Sequence, residues 1–164
     1  MNRGKVTDIA ELPALLAPGA RLLGLDVGSK TVGLALSDVS RSIATPLQTL
    51  ARGKFTEDAK KLLKLAADHD VGALVIGLPI NMDGSEGPRC QSVRQFAANL
   101  LKTSDLDMVF WDERLSTAVA TRAMLEADMS RKKRAENVDK VAAAYILQGL
   151  IDNLAAAARR GGAP

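Results

Sequence analysis

The strongest constraint on the fold is a pair of apolar runs at residues 21–27 and 31–37, joined by a short link that contains Gly28. Two such runs separated by a Gly-containing link predict a β-hairpin. Asp26 lies inside the first run, although Asp is depleted in strands and the burial of an unpaired carboxylate is costly. A turn-capping Asp more often lies in the link than before it. We therefore expect Asp26 to bind a positively charged group, with capping of the turn as the alternative.

The remaining pattern predicts a mixed α/β domain. A third strand is expected at 42–49, where Pro46 indicates a sheet edge or a bulge. Helical periodicity and apolar runs then alternate, and the run at 73–78 is typical of a parallel strand buried on both faces. The predicted elements are strands at 73–78 and 107–111, helices at 55–69, 87–102, 117–128 and 138–157, and a charged loop at 129–136. This order, a three-strand antiparallel meander followed by alternating helices and strands, predicts a mixed five-stranded sheet with helices on both faces.

The chain length of 164 residues suits one domain, which we place at 20–157 between a weakly ordered arm at 1–19, with a short helix at 7–16, and a flexible tail at 158–164. A single cysteine, Cys90, rules out an internal disulfide and a cysteine-cluster metal site. No signal peptide and no run of about 18 apolar residues is present, so a cytoplasmic protein without membrane contact is expected. The net charge of +3 permits a polyanionic partner, and the 3% aromatic content disfavours recognition by base stacking.

Carboxylates recur at three places in this plan. Asp26 lies in the first strand, Asp112 and Glu113 follow the fifth, and Asp139 begins the last helix. Asp139 shares its helical face with the apolar stripe, which is unusual for an acid that only complements the helix dipole. Asp112 and Glu113 should point to opposite faces, so that one reaches the site of Asp26 and the other pairs with Arg114 or solvent. Spacing alone does not choose between them. Such converging acids suit Mg²⁺, which prefers carboxylate oxygens, and a pair of ions can stabilise both oxygens of a phosphodiester displacement.

Cations accompany these acids. The run Arg131, Lys132, Lys133 and Arg134 precedes Asp139 and is either a solvated segment or a phosphate contact. Lys30 and Arg114 flank the expected site and are further candidates for phosphate binding. The segment 79–86 leads into a helix whose N-terminus could bind phosphate, but a plain connection capped by Ser85 is the simpler interpretation.

Four segments carry a family resemblance. They are GLDVGSKTVG at 24–33, GLPINMDGSE at 77–86, DERLST at 112–117 and VDKVAA at 138–143. In this order they resemble the motifs of the YqgF (RuvX) family of Holliday-junction-resolvase-like nucleases, also described as nucleases for the 5′ end of pre-16S rRNA. The resemblance extends from about residue 21 to residue 152.

The resemblance implies a ribonuclease H-like fold and a metal-dependent nuclease. It implies that Asp26, Glu113 and Asp139 are the catalytic acids, that a divalent metal, Mg²⁺ or Mn²⁺, activates water, and that the substrate is pre-16S rRNA or branched DNA. Two metal ions are expected from the carboxylate chemistry described above. Members of the related RuvC group often carry a further acid or histidine shortly after the last aspartate. Here residues 140–144 are KVAAA, which argues against junction cleavage in particular.

Two other classes of function compete with the nuclease. The segment DVGSKT at 26–31 also resembles the first phosphate loop of actin-like and sugar-kinase ATPases, but those proteins need two facing domains and 164 residues supply one. A non-catalytic nucleic-acid-binding factor is the other class, and the presence of all three acids argues against it. The sequence leaves open whether the protein is a monomer or a homodimer.

Overall fold

A computed structural model describes residues 4–116 and 131–161. Five strands form one sheet: β1 (Arg21–Val27), β2 (Thr31–Ser37), β3 (Ala44–Ala51), β4 (Val71–Leu78) and β5 (Asp107–Asp112). The α-helices are α1 (Leu12–Leu15), α2 (Phe55–Asp68), α3 (Pro88–Leu101) and α4 (Arg131–Gly161), and short 3₁₀ turns occupy Ile9–Glu11 and Glu113–Leu115. The helix predicted at 117–128 lies outside the described residues.

The sheet has the predicted mixed topology. Its strand order is β3-β2-β1-β4-β5, in which β1 is antiparallel to β2 and parallel to β4. The first hairpin has the predicted bounds. The expectation for Pro46 is confirmed in both respects, because β3 is an edge strand and its register with β2 shifts beside Pro46. Parallel β1, β4 and β5 therefore end at the same edge of the sheet, where the hairpin turn also lies.

Side-chain alternation along β1 divides the interior into two cores. Leu23, Leu25 and Val27 point into a core with α2 and α3, whereas Leu22 points into a second core with α4. The predicted placement of helices on both faces is thus confirmed. Asp26 has the same parity as Leu22, so its side chain lies on the α4 face of the sheet.

Helix α4 differs from the prediction at both ends. It begins at Arg131 rather than Val138, so residues 131–136 are helical and not a loop. Arg, Lys, Ala and Glu are strong helix formers, and their intrinsic preference outweighs the charge density of the run. The helix also continues to Gly161, into the segment for which the sequence predicts a flexible tail.

Helix α4 is also apolar. Val138–Gly161 is long and apolar enough to cross a membrane by length and composition. Its inner stripe, however, forms the second core, where Ala143, Ile146, Leu147 and Leu150 are fully buried. We therefore interpret α4 as a core helix that covers one face of the sheet.

The described part of the N-terminal arm is attached to the sheet. The backbone N–H of Thr7 donates to the carbonyl of Met108 at 2.8 Å, and the N–H of Met108 donates to the carbonyl of Lys5 at 2.9 Å. Leu12 is fully buried in the second core. The arm thus covers the outer edge of β5. The sequence of the arm did not predict this contact.

Candidate active site

Asp26 occupies the centre of a row of three residues that crosses the sheet. Gly33 on β2 is its register partner. On the other side Leu25 pairs with Ile76 of β4, so the following residue, Gly77, lies beside Asp26. Asp26 is only 3% exposed. A carboxylate on the α4 face is therefore flanked by two positions without side chains, which leaves room for groups from other elements.

The backbone of Asp139 lies against Gly33 on the α4 face of the sheet. A Cβ atom at Gly33 would overlap the backbone carbonyl of Asp139 and lie 2.7 Å from the backbone nitrogen of Lys140. The start of the apolar part of α4 thus rests directly on β2. Asp139 is half-buried, and its Oδ2 accepts a hydrogen bond from the hydroxyl of Thr31. Thr31 and Gly33 are two residues apart on one strand and therefore share its α4 face.

Glu113 lies beside the other glycine. It is the first residue of the 3₁₀ turn after β5 and is only 2% exposed. Its carboxyl carbon is 3.2 Å from the position that a Cβ at Gly77 would take. Glu113 and Asp139 therefore approach the row from opposite sides of Asp26. The three acids singled out from the sequence lie at the same end of the sheet and on the same face.

Asp112 has a different partner. Its carboxylate accepts hydrogen bonds from Arg114 Nη2 at 2.7 Å, from Nε at 3.1 Å and from the backbone N–H at 3.0 Å. The Arg114 side chain, followed by the backbone N–H, lowers the pKa of Asp112 against a smaller opposing effect of desolvation. The expectation that one of the two neighbours pairs with Arg114 is confirmed. Asp112 is that one, and Glu113 is the buried one.

The ligand chemistry of the three acids fits a divalent cation. Carboxylate oxygens are the donors that Mg²⁺ and Mn²⁺ prefer, and such ions usually complete their shell with water and substrate phosphate oxygens. Among residues 4–116 and 131–161, no three His, Cys, Asp or Glu side chains are close enough to one another to form a metal-binding group. The structure thus brings the acids to one end of the sheet without closing them into a ligand cluster.

The predicted cations occupy different environments. Lys30 is exposed in the β1–β2 turn, at the same end of the sheet as Asp26. Arg114 is bound to Asp112. Residues 131–134 form the first turn of α4, and Arg134 precedes Asp139 by five residues, or about 7.5 Å along the helix axis. All of these residues therefore belong to segments that border the acids.

Sequence reasoning missed three kinds of residue at this site. The sequence predicts Thr31 only as part of a hairpin, and no local sequence pattern connects it with an acid 108 residues away. Gly33 and Gly77 did carry a signal, since an isolated glycine in a strand often marks a close approach of another backbone or group. Arg52 was also missed. Its Nη1 donates to the carbonyl of Gly28 at 2.7 Å, which fixes the turn after Asp26.

The segment 79–87 is an ordered turn that Ser85 stabilises without capping the helix. Helix α3 begins at Pro88 after Gly87, with no side-chain cap, so the expected Ser85 cap is wrong. Ser85 instead donates from its hydroxyl and its N–H to Asp83 Oδ1, at 2.6 and 2.9 Å. These bonds lower the pKa of Asp83, and the nearby Arg114 makes a minor contribution to that lowering. The turn therefore lies beside Arg114, at the edge of the site.

Comparison with known proteins places this geometry in a family context. The family model described as "RuvX: Holliday junction resolvase" matches residues 20–153. A protein of Paramagnetospirillum magneticum named "Putative pre-16S rRNA nuclease" is 66% identical over 144 residues, which cover 88% of this chain and 93% of that protein. A protein of Methylocella silvestris with the same name is 57% identical over 150 residues, with coverages of 92% and 93%.

A solved structure supports the fold. Thermus thermophilus RuvC, in complex with a Holliday junction substrate, aligns with a TM-score of 0.50 over 82% of this chain and 96% of that one. The identity is 10%, so the likeness concerns the fold alone. It confirms the ribonuclease H-like architecture that the sequence resemblance implies.

Proposed function

The chain belongs to the RuvX family, and we propose that it is a metal-dependent nuclease that hydrolyses phosphodiesters near the 5′ end of pre-16S rRNA. Two close relatives carry that substrate in their names, and each is matched over more than nine-tenths of its length. Such a role in ribosome biogenesis would place the protein in the cytoplasm, the location expected from the sequence.

The observation that carries the proposal is the grouping of three acids around one row of the sheet. Asp26 is the central residue, while Asp139 lies over Gly33 and Glu113 lies beside Gly77. A structural acid would gain nothing from two flanking glycines, because these weaken strands and bury no apolar side chain. The two glycines instead leave space in which carboxylates from three separate elements can share a ligand.

In this proposal Asp26, Glu113 and Asp139 would hold Mg²⁺ or Mn²⁺. When bound, the metal would lower the pKa of water for attack on the phosphodiester and offset charge on the leaving oxygen. The burial of Asp26 and Glu113 would limit access of bulk water to the acids and strengthen their attraction for a cation. Lys30, Arg114 and the cations at 131–134 would bind backbone phosphates on either side of the cleaved bond.

The test is cleavage of an end-labelled precursor fragment that contains the 5′ end of 16S rRNA, with Mg²⁺ or Mn²⁺ present. We expect the wild-type protein to cut and Asp26→Asn to lose at least about 100-fold in rate, since general acid–base and metal effects are each of that order. Asp68→Asn, an exposed acid at the far end of α2, is the matched control and should cut normally. Equal rates for Asp26→Asn and the wild type would contradict the site assignment.

Cleavage of branched DNA is the second candidate, because the matching family model is described as a Holliday junction resolvase. A four-way DNA junction should therefore be assayed beside the rRNA fragment, with the same enzyme and metal. Faster cutting of the junction would replace the RNA proposal with the DNA one. The mass of the protein in solution adds to this test, since paired cuts across a junction favour a homodimer and trimming of one strand needs only a monomer.

A further inference from the structure

Thr31 makes a contact that neither the motif pattern nor the family match assigns. It is the first residue of β2, and its hydroxyl donates to Oδ2 of Asp139 on α4. The two residues are 108 positions apart in the chain, and the contact is partly buried. It joins the hairpin that carries Asp26 to the helix that carries the last acid.

The position of the Thr31 hydroxyl is fixed from several directions. The Thr31 carbonyl accepts from the N–H of Gly28 at 2.8 Å, which closes the turn, and Thr31 pairs with Ala51 of β3. Arg52 then binds the turn twice: its N–H donates to the carbonyl of Lys30 at 2.8 Å, and its Nη1 donates to the carbonyl of Gly28 at 2.7 Å. Threonine is also stiff at χ1 because it is β-branched. The hydroxyl is therefore a rigid donor.

The guanidinium of Arg52 is itself held in place. Its central carbon lies 5.3 Å from the centroid of the Phe96 ring, within the range of a cation–π contact. Phe96 belongs to the core on the opposite face of the sheet. The turn that presents Thr31 is thus anchored to the protein interior.

Asp139 is held by β2 at two points. Its backbone carbonyl rests on Gly33, and its carboxylate accepts from Thr31. A carboxylate has two oxygens with about four acceptor sites. A donor on Oδ2 therefore restricts the orientation of the carboxylate, whose acceptor capacity exceeds this one bond. Hydrogen bonds of this kind orient ligating carboxylates in metal sites and tune their affinity.

We propose that Thr31 is a positioning residue that orients the Asp139 carboxylate for the divalent cation. This inference rests on the proposed function, because it requires Asp139 to be a metal ligand. Thr31 acts through Asp139 and not through substrate, so its removal weakens metal binding in the absence of nucleic acid. A direct contact between Thr31 and the substrate would have the opposite signature, with normal metal binding and weaker RNA binding.

The test compares Thr31→Val, which keeps the shape and removes the hydroxyl, with Thr31→Ser, which keeps the hydroxyl. Mn²⁺ affinity is measured on the protein without nucleic acid by calorimetric titration, and the cleavage rate is measured as a function of Mn²⁺. We expect Thr31→Val to weaken Mn²⁺ binding by about 10- to 100-fold and to need correspondingly more Mn²⁺ for half-maximal cleavage. Thr31→Ser should stay within about 3-fold of the wild type by the same reasoning. Thr45→Val, an exposed threonine of β3, is the control and should match the wild type.

A double-mutant cycle with Asp139→Asn keeps the result independent of folding effects. If Thr31 acts through Asp139, Thr31→Val should cause no further loss of Mn²⁺ affinity when Asp139→Asn is already present. Additive losses, or wild-type Mn²⁺ affinity in Thr31→Val while the wild type is active, would overturn this inference alone. A wild-type protein that neither binds Mn²⁺ nor cuts would overturn the proposed function, and this inference with it.

Discussion

Gly33 lies directly beneath the backbone carbonyl of Asp139, so that α4 contacts β2 without an intervening side chain. The contact sets the distance between α4 and the sheet at Asp139, the third acid of the proposed site. Since Gly33 is also the register partner of Asp26, one residue determines the spacing between two of the three acids.

Substitution of Gly33 by alanine should therefore affect both stability and activity. The new Cβ would meet backbone atoms of Asp139 and Lys140, which cannot rotate away, so α4 would have to shift. We expect a loss of about 1–3 kcal/mol in the free energy of unfolding, typical of overpacking, and a cleavage rate below the wild type at saturating metal. Gly53→Ala is the control, because its Cβ would meet only Asp58 Oδ1 at 3.9 Å. Thermal unfolding and cleavage assays on both variants decide the matter. Full activity of Gly33→Ala would show that the close approach is not required.

The destabilisation expected from substitution of Gly77 can be tested with a second, compensating substitution. A Cβ at Gly77 would lie 2.5 Å from Cδ1 of Ile146, the far end of a flexible side chain, and 3.2 Å from the carboxyl carbon of Glu113. Gly77→Ala should thus destabilise the protein by about 1 kcal/mol or more and displace Glu113. Ile146→Val removes the colliding Cδ1 atom. The double variant should therefore be more stable than the sum of the two single effects predicts, with a coupling energy above about 0.5 kcal/mol in chemical denaturation. Simple additivity would contradict this account of the contact.

Local pattern predicted the sheet well because local rules govern it. Alternating apolar residues and a Gly-containing link define β1 and β2 almost by themselves, and Pro46 was enough to indicate an edge strand. The start of α4 was mispredicted because four consecutive cations suggest a solvated loop, whereas their helix propensity favours an extra two turns. Charge density and helix propensity give opposite indications for this segment, and helix propensity prevails.

The candidate site was only partly accessible from the sequence. An acid in an apolar strand identified Asp26, but the choice of Glu113 over Asp112 needed either the family resemblance or the register of β5. Trp111 pairs with Gly77 and lies in the core with α4, so alternation places Glu113, two residues later, on the face of Asp26. The sequence predicts this alternation but not which of the two faces Asp26 occupies. The bond between Thr31 and Asp139 joins residues 108 positions apart, a contact that no local periodicity encodes.

Substitutions of the adjacent acids Asp112 and Glu113 should differ in their effect on cleavage. Glu113→Gln should reduce cleavage by at least about 100-fold, because it removes a buried carboxylate from the proposed metal site. Asp112→Asn should retain most activity, since that carboxylate is engaged with Arg114. Single-turnover cleavage at matched enzyme concentration measures both. A larger loss in Asp112→Asn than in Glu113→Gln would reverse the assignment of the two acids.

The ion pair between Asp112 and Arg114 predicts a specific pH dependence. Hydrogen bonding from Arg114 lowers the pKa of Asp112, so Arg114→Gln should raise that pKa towards its ordinary value near 3.8. A lowered pKa in the folded protein means that the pair contributes stability above the unfolded-state pKa and loses it as the pH falls through the folded-state pKa. The stability difference between wild type and Arg114→Gln should be small and constant near neutral pH, because the pair is partly exposed, and should shrink in acid. Carboxyl ¹³C titration by NMR measures the pKa, and a difference that grows in acid would contradict the assignment.

The cations at the start of α4 should govern affinity for RNA more than catalysis. Replacement of Arg131, Lys132, Lys133 and Arg134 by glutamine should weaken binding and reduce the slope of log affinity against log salt by about 0.7 for each phosphate that the variant no longer neutralises. Arg159→Gln/Arg160→Gln is the matched control, because these exposed cations lie at the other end of the same helix, about 38 Å from Arg134. Fluorescence anisotropy of a labelled rRNA fragment across a range of KCl concentrations gives both slopes. If the control changes the slope as much as the quadruple variant does, the cations contribute only general charge, and the first turn of α4 has no special role in binding.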